Sequence, residues 1–234
     1  MENITVGQYS VIEEGARIGE GSVIGNNCTI YGNVVLGENC VVGDCAIVGK
    51  QPKLAASSTA KGGPLANLVM GDECTIGAHA VLMAGTSFGN SCLVGDGAAV
   101  RERCTIGDNV VVGRAVSVEN DTAIGSRTRI QAGAYVTAYV TIEEDVFIAP
   151  MVVTTNDNYM GRTEKVKDMK GCTIRRGARV GGGVHILPAI EIGEEAFIAT
   201  ASVVTKDVAP KTVVMGTPAR PVKEVPVEEL LENQ

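Results

Sequence analysis

An aliphatic side chain returns at every sixth position over most of the chain. The register runs Val6, Ile12, Ile18, Ile24, Ile30, Leu36, Val42 and Val48, resumes from Met70 to Ile148, and returns from Ile174 to Val204. Four residues after many anchors stands something small or β-branched, such as Ser10, Ala16, Ser22, Cys28, Cys74, Ala80, Thr86 and Cys92. Glycine directly follows the anchor at Gly7, Gly19, Gly25, Gly37, Gly43, Gly77, Gly107, Gly125 and Gly193. A period of six fits neither the helical repeat nor simple strand alternation. It predicts a short strand and a tight corner, with three hexads closing a triangular coil that stacks on the next about 4.8 Å away. The expected class is all-β, a parallel β-helix of about nine coils forming a single domain over 1–234.

The register breaks twice, so two inserted loops are expected at about 50–69 and 155–173, with a short C-terminal tail over 205–234. Counting hexads in threes sends both loops out from the second side of the prism. They lie five coils apart, roughly 24 Å at the strand spacing. Long loops in a solenoid that otherwise has none are usually functional. The first reads GKQPKLAASSTAKGGPL and carries Lys50, Gln51, Lys53 and Lys61; the second opens TTNDNYMGR. A flexible linker is the competing reading for the first.

The outward residue before each anchor on the second side is uncharged throughout: Val11, Thr29, Ile47, Val81, Ala99, Ser117, Tyr135, Val153, His185, Val203. The third side is expected to carry Arg129 and Arg179. The uncharged stripe is therefore the candidate subunit contact, and a homotrimer with clefts between neighbours follows.

Composition narrows the function classes. Aromatics make up 3% of the 234 residues and Trp is absent, as suits a narrow prism interior. No apolar run is long enough to span a bilayer and no leader is apparent, so a cytoplasmic protein without membrane contact is expected. The seven cysteines include no CxxC pair and no His-rich neighbour. Cys28, Cys40, Cys74, Cys92 and Cys104 fall on small inward sites, which favours core thiols over disulfides or a metal site. A net charge of −7 argues against nucleic acid. Between Gly161 and Val180, however, Arg162, Lys165, Lys167, Lys170, Arg175, Arg176 and Arg179 face only Glu164 and Asp168. Such a patch suggests an anionic small ligand, with a solvated charge run as the alternative.

With these residues in place, the chain resembles the hexapeptide-repeat acyltransferases, and the resemblance implies a left-handed β-helix. Residues 180–222, from VGGGVHILPAI to MGTPARPV, are similar to the acyl-CoA-binding end of that family. The resemblance implies acetyl-CoA or another acyl-CoA as co-substrate. It would be held by backbone amides near Ala199, Thr200 and Ala201, with Lys206 and Arg220 near its phosphates.

The positions matching the catalytic His of two O-acyltransferase branches read Arg176 and Asn120 here. A hydroxyl acceptor needs a base, so this loss argues against one. The stretch MVVTTNDNYMGR followed by IRRGARVG instead resembles the nucleotide-sugar N-acyltransferases. Their amine acceptor is nucleophilic once neutral and needs mainly orientation. The resemblance implies that Asp157 holds the amine and that Asn156 helps position it. Lys50, Gln51, Lys53, Asn158, Tyr159, Arg162 and Arg176 are the expected substrate-binding residues. Some members place a Glu eighteen residues before Asn156, where Ala138 stands here.

His185 falls one rung beyond Val153 beside the second loop, which makes it a candidate base or acceptor contact; His79 reads as a surface corner. Two histidines exclude a three-His zinc site. The expected function is acyl transfer to the amine of a nucleotide-linked amino sugar. The alternatives are O-acylation of a sugar or polysaccharide precursor with His185 as base, and a non-enzymatic scaffold.

Overall fold

The computed structural model describes residues 3–56, 58, 62–163 and 169–234. Thr5–Val6, Val11–Ile12 and Arg17–Ile18 form the first coil, and each starts one of three sheets in which coil stacks on coil. Pairing is parallel with a constant step of eighteen residues, as in Thr5↔Val23, Val11↔Thr29 and Arg17↔Val35. The third sheet has 9 strands and ends at Glu191–Ile192, while the second has 10 and ends at Val203–Val204. The first sheet has 12 strands, all parallel but the last, so the all-β solenoid has about eleven turns where nine coils were expected.

The segment after Val204 does not leave the solenoid at once. Val208 bridges to Ile192, and Thr212–Met215 adds a parallel strand beside Phe197–Ile198. Arg220–Glu224 then folds back antiparallel on it. The expected tail 205–234 thus begins as another turn, because its valines 208, 213 and 214 are buried like anchors.

Burial follows the hexad. The anchors from Ile24 to Val204 are buried, whereas Val6 in the first coil is 46% exposed because no coil covers it from below. Each buried aliphatic contributes about 1.5 to 3 kcal/mol, much of it offset by ordering entropy. Cys28, Cys40, Cys74, Cys92, Cys104 and Cys172 are buried free thiols, and Cys45 is half-buried. Burial pushes the Cys104 and Cys172 thiols up to about 12.

Glycine after an anchor serves close approach between coils. A Cβ on Gly77 would lie 2.5 Å from the Asp96 amide nitrogen. The left-handed turn sits two residues later in the hexad, at Asn27 (φ 55), Asn39 (φ 54) and Asp121 (φ 57) among others. Lower corners are laced by side-chain acceptors. The amide of Gln8 donates to Asn26 Oδ1 at 2.8 Å and that of Asn26 to Asp44 Oδ1 at 2.7 Å.

The second sheet carries the uncharged outward stripe, with Val153, His185 and Val203 in register. Arg129 and Arg179 lie on the first sheet, paired with Phe147 and Phe197, and not on the third. The third sheet instead shows Arg17 and Glu191. Stacking explains the Arg–Phe alternation: Arg129 lies 5.7 Å from the Phe147 ring centroid and Arg179 4.9 Å from that of Phe197.

Candidate functional site

Both insertions leave the corner between the second and third sheets. The first departs after Ile47–Lys50 and returns at Leu68–Met70; the second departs after Val153–Thr154 and returns at Thr173–Ile174. Lys50 itself is still strand, so the first loop is shorter at this end than expected. The aliphatic register fails at Thr154 for a local reason. Its buried hydroxyl accepts the Thr137 amide at 2.8 Å, which replaces a ladder bond where the chain turns out of the coil.

The two loops are not left 24 Å apart. The first climbs the corner: Leu65 lies over Gly85, and Ser58 lines one cavity with Asn156 and Met169 of the second loop. This cavity, about 190 Å³, is completed by Arg101, Glu119, Asn120, Tyr135, Thr137, Ala138 and Tyr139. Its floor is an ion network. Arg101 donates to Glu119 at 2.9 Å and to the fully buried Glu102 at 2.9 and 3.1 Å. Arg103 pairs with Asp121 at 2.8 Å and lies 3.7 Å from Glu102. Buried Asn120 donates to Asp121 at 2.7 Å. Burial and the Glu119 carboxylate hold the Tyr135 phenol above its ordinary value.

Asn156 separates this cavity from a second one of about 150 Å³, lined by Asp157, Asn158, Tyr159, Met169, Lys170, Pro188 and Ala189. The Asn156 carbonyl accepts the Lys170 amide at 3.0 Å, and its side-chain amide donates to Ala138 O at 3.4 Å. Asp157 is engaged by its own loop. Its carboxylate accepts the amides of Tyr159 at 2.6 Å and Gly161 at 2.7 Å. These bonds, that from Gly161 foremost, hold it below the usual carboxylate range. Tyr159, Asn158 and Arg162 are exposed around it.

Three arginines of the basic patch, Arg175, Arg176 and Arg179, are paired with carboxylates. Arg175 bonds Glu143 and Glu191 at 2.8 Å each, and Arg179 bonds Glu229 at 2.7 Å. Arg176 lies at the corner between the third and first sheets, 3.5 Å from both Asp145 and Glu194. Within the chain it stands on a different corner of the prism from Asp157. Lys61, Glu164, Lys165, Lys167 and Asp168 lie outside the described residues. Lys50, Gln51 and Lys53 are present at the base of the first loop, and all three are exposed.

At the upper end, Lys206 and Arg220 line one cleft of about 420 Å³ with Val204, Thr212, Ala219 and Pro221. Lys206 stands on the same corner as Asp157, two coils further on. Ala199, Thr200 and Ala201 occupy the other edge of the second sheet. The amides of Ala199 and Ala201 already donate to Val214 and Gly182 carbonyls at 2.9 Å. Both amides stack coil on coil, whereas the Thr200 amide has no acceptor among the described residues. His185 is exposed on the second sheet between the two edges.

Arg101, Glu119, Tyr135 and Thr137 escaped the sequence reading because they sit in ordinary hexads below the loops. The signal was the run Arg101-Glu102-Arg103, a charged stretch in which Glu102, two residues after the anchor Val100, is buried. Among the described residues, no group of three or more His, Cys, Asp and Glu is disposed to hold a metal ion. No helix among them is long and apolar enough to cross a membrane.

Comparison with known proteins agrees with the repeat. A family model described as bacterial transferase hexapeptide (six repeats) matches residues 15–50. Another, described as hexapeptide repeat of succinyl-transferase, matches 68–114 and 102–138. Galactoside O-acetyltransferase of Escherichia coli is 34% identical over 90 residues, 37% of this chain and 44% of that protein. Serine acetyltransferase of Buchnera aphidicola is 37% identical over 94 residues, 40% of this chain and 32% of that protein. The chain thus spans less than half the length of these curated relatives. Among solved structures, a UDP-N-acetylglucosamine acyltransferase from Bacteroides fragilis superposes with TM-score 0.60 at 16% identity, covering 92% of this chain and 73% of that one. One from Arabidopsis gives TM-score 0.55 at 19% identity, covering 96% and 75%. At these identities the likeness is one of fold.

Proposed function

We propose that this chain, whose coils are the hexapeptide repeats of the acyltransferase family, transfers an acetyl or similar group from acyl-CoA to the amine of a nucleotide-linked amino sugar. The observation that carries the reading is the cleft around Asn156, walled by two inserted loops and without a histidine among its lining residues. A hydroxyl acceptor needs a base there; an amine needs orientation. The neutral amine attacks the thioester carbonyl, the C–N bond forms and the C–S bond breaks. The proton lost from nitrogen goes to the departing thiolate.

In this scheme Asn156 orients the acceptor from its position between the two cavities, and Asp157 acts by holding the loop in shape. Lys206 and Arg220, in their common cleft, receive the phosphates of acyl-CoA. The uncharged stripe on the second sheet is the surface through which three copies pack, so that the edge at Thr200 and the corner at Lys206 can meet across neighbours.

O-acylation is the second reading, favoured by the exposed imidazole of His185 one rung above Val153. Acetyl-CoA consumption against nucleotide-linked amino sugars and their hydroxyl counterparts tests both. The N-acyl reading expects turnover only with amines and most activity kept in His185→Ala. A loss of roughly a hundredfold or more in that variant, with hydroxyl sugars as acceptors, would replace it by O-acylation.

A further inference from the structure

The cavity between the loops has a charge balance that selects what enters it. Its lining holds Arg101 and Glu119, and the ion network continuing from them through Glu102, Arg103 and Asp121 totals two cations and three carboxylates. Arg101 spends Nε and Nη2 on Glu102 and Nη1 on Glu119. Arg103 is committed to Asp121 and Glu102. Neither guanidinium is left to neutralise an incoming anion, so a phosphate or carboxylate would be buried against a net negative floor. Of the three carboxylates only Glu119 lines the cavity; its side chain is 23% exposed, whereas that of Glu102 is inaccessible.

The remaining lining suits a ring bearing hydroxyl groups. Asn120, Asn156, Tyr135 and Thr137 offer amides and hydroxyls, and the volume of about 190 Å³ is near that of one sugar ring. The cavity reaches Glu119 because Ala138, on the coil between Glu119 and Asn156, has no side chain beyond Cβ to close it.

We infer that this cavity takes the amino-sugar ring of the acceptor and that Glu119, held in place by Arg101, binds its ammonium group. The nucleotide diphosphate then lies outside the cavity, away from the negative floor. The inference rests on the proposed N-acyl transfer and assigns the acceptor pocket within it. Glu119 is a binding residue: it gathers the ammonium form from solution, and the neutral amine that reacts arises from it by loss of a proton to water.

The test uses the full-length chain with acetyl-CoA and UDP-linked and dTDP-linked sugars carrying an amine at C2, C3 or C4. Glu119→Gln keeps size and hydrogen bonding while removing the charge. Ala138→Leu fills the passage without touching the ion network. Both variants are expected to raise the KM for the acceptor about tenfold or more, with the KM for acetyl-CoA unchanged. If the wild type turns over an amino sugar and both variants keep its KM, the pocket assignment falls while the N-acyl reading stands. If Ala138→Leu alone is impaired, the ring enters but Glu119 is not its ammonium partner, and the inference is overturned in that part. If the wild type acetylates no amino sugar in the panel, the N-acyl reading fails and the pocket assignment with it.

Discussion

The Asp157 carboxylate accepts the backbone N–H of Gly161 at 2.7 Å and so closes the start of the second loop on itself. The bond defines the geometry that Asn156 presents to both cavities. Asp157→Ala is expected to lose acyl transfer by about tenfold to a thousandfold with little change in melting temperature, because the residue lies outside the coil interior. Unaltered turnover would show that the loop keeps its shape without it.

The same carboxylate sets a pH limit for loop order. Its folded pKa is depressed by the Gly161 and Tyr159 amides. The contribution is therefore complete above the ordinary carboxylate value, about 4, and is lost as pH falls through the lower folded value. The amide resonances of Tyr159 and Gly161 should stay in place on titration from pH 7 to about 5 and shift only below about 4. A transition near neutrality would assign the loop to another group.

Glu102 is buried with two arginines against it. Glu102→Ala removes the one carboxylate that both share and leaves Arg101 balanced only by Glu119. The loss expected is about 2 to 3 kcal/mol, toward the low end for a broken buried pair because both arginines keep a partner and some solvent. The thermal unfolding midpoint should fall by roughly 4 to 12 °C for a chain of this size. An unchanged midpoint would mean that the cluster contributes nothing to stability.

Two glycines separate close approach from backbone handedness. Gly97 has φ +65 and open space where a Cβ would stand, so Gly97→Ala should cost about 1 to 2 kcal/mol. At Gly77 the new Cβ would meet the Asp96 amide at 2.5 Å and the Gly95 carbonyl carbon at 2.6 Å. Gly77→Ala must push two coils apart and should cost about 3 kcal/mol or more. Denaturant unfolding that ranks them the other way would overturn this account of the hexad glycine.

Lys206 and Arg220 share one cleft. The double variant Lys206→Ala, Arg220→Ala should raise the KM for acetyl-CoA at least tenfold with kcat nearly unchanged, each phosphate contact contributing about 1 to 2 kcal/mol. An unaltered KM would move the cofactor elsewhere.

The hexad was enough to determine the solenoid. Every sixth side chain from Ile24 to Val48, and again from Met70 to Ile148, had to be apolar because a prism of stacked coils buries one large residue per side beside a small one. The count of hexads likewise assigned both insertions to one corner, since a constant step of eighteen residues leaves no freedom in register. What the sequence could not carry was the contact between elements distant along the chain. The approach of Ser58 to Asn156, the capture of Arg176 by Asp145 and Glu194, and the fold-back of Arg220–Glu224 on Thr212–Met215 all join segments with no shared period. The pocket charge was hidden for the same reason. Arg101, Glu119 and Asn156 come from three different coils, and only their stacking at one corner decides that two guanidinium groups are already spent and one carboxylate is left facing the cavity.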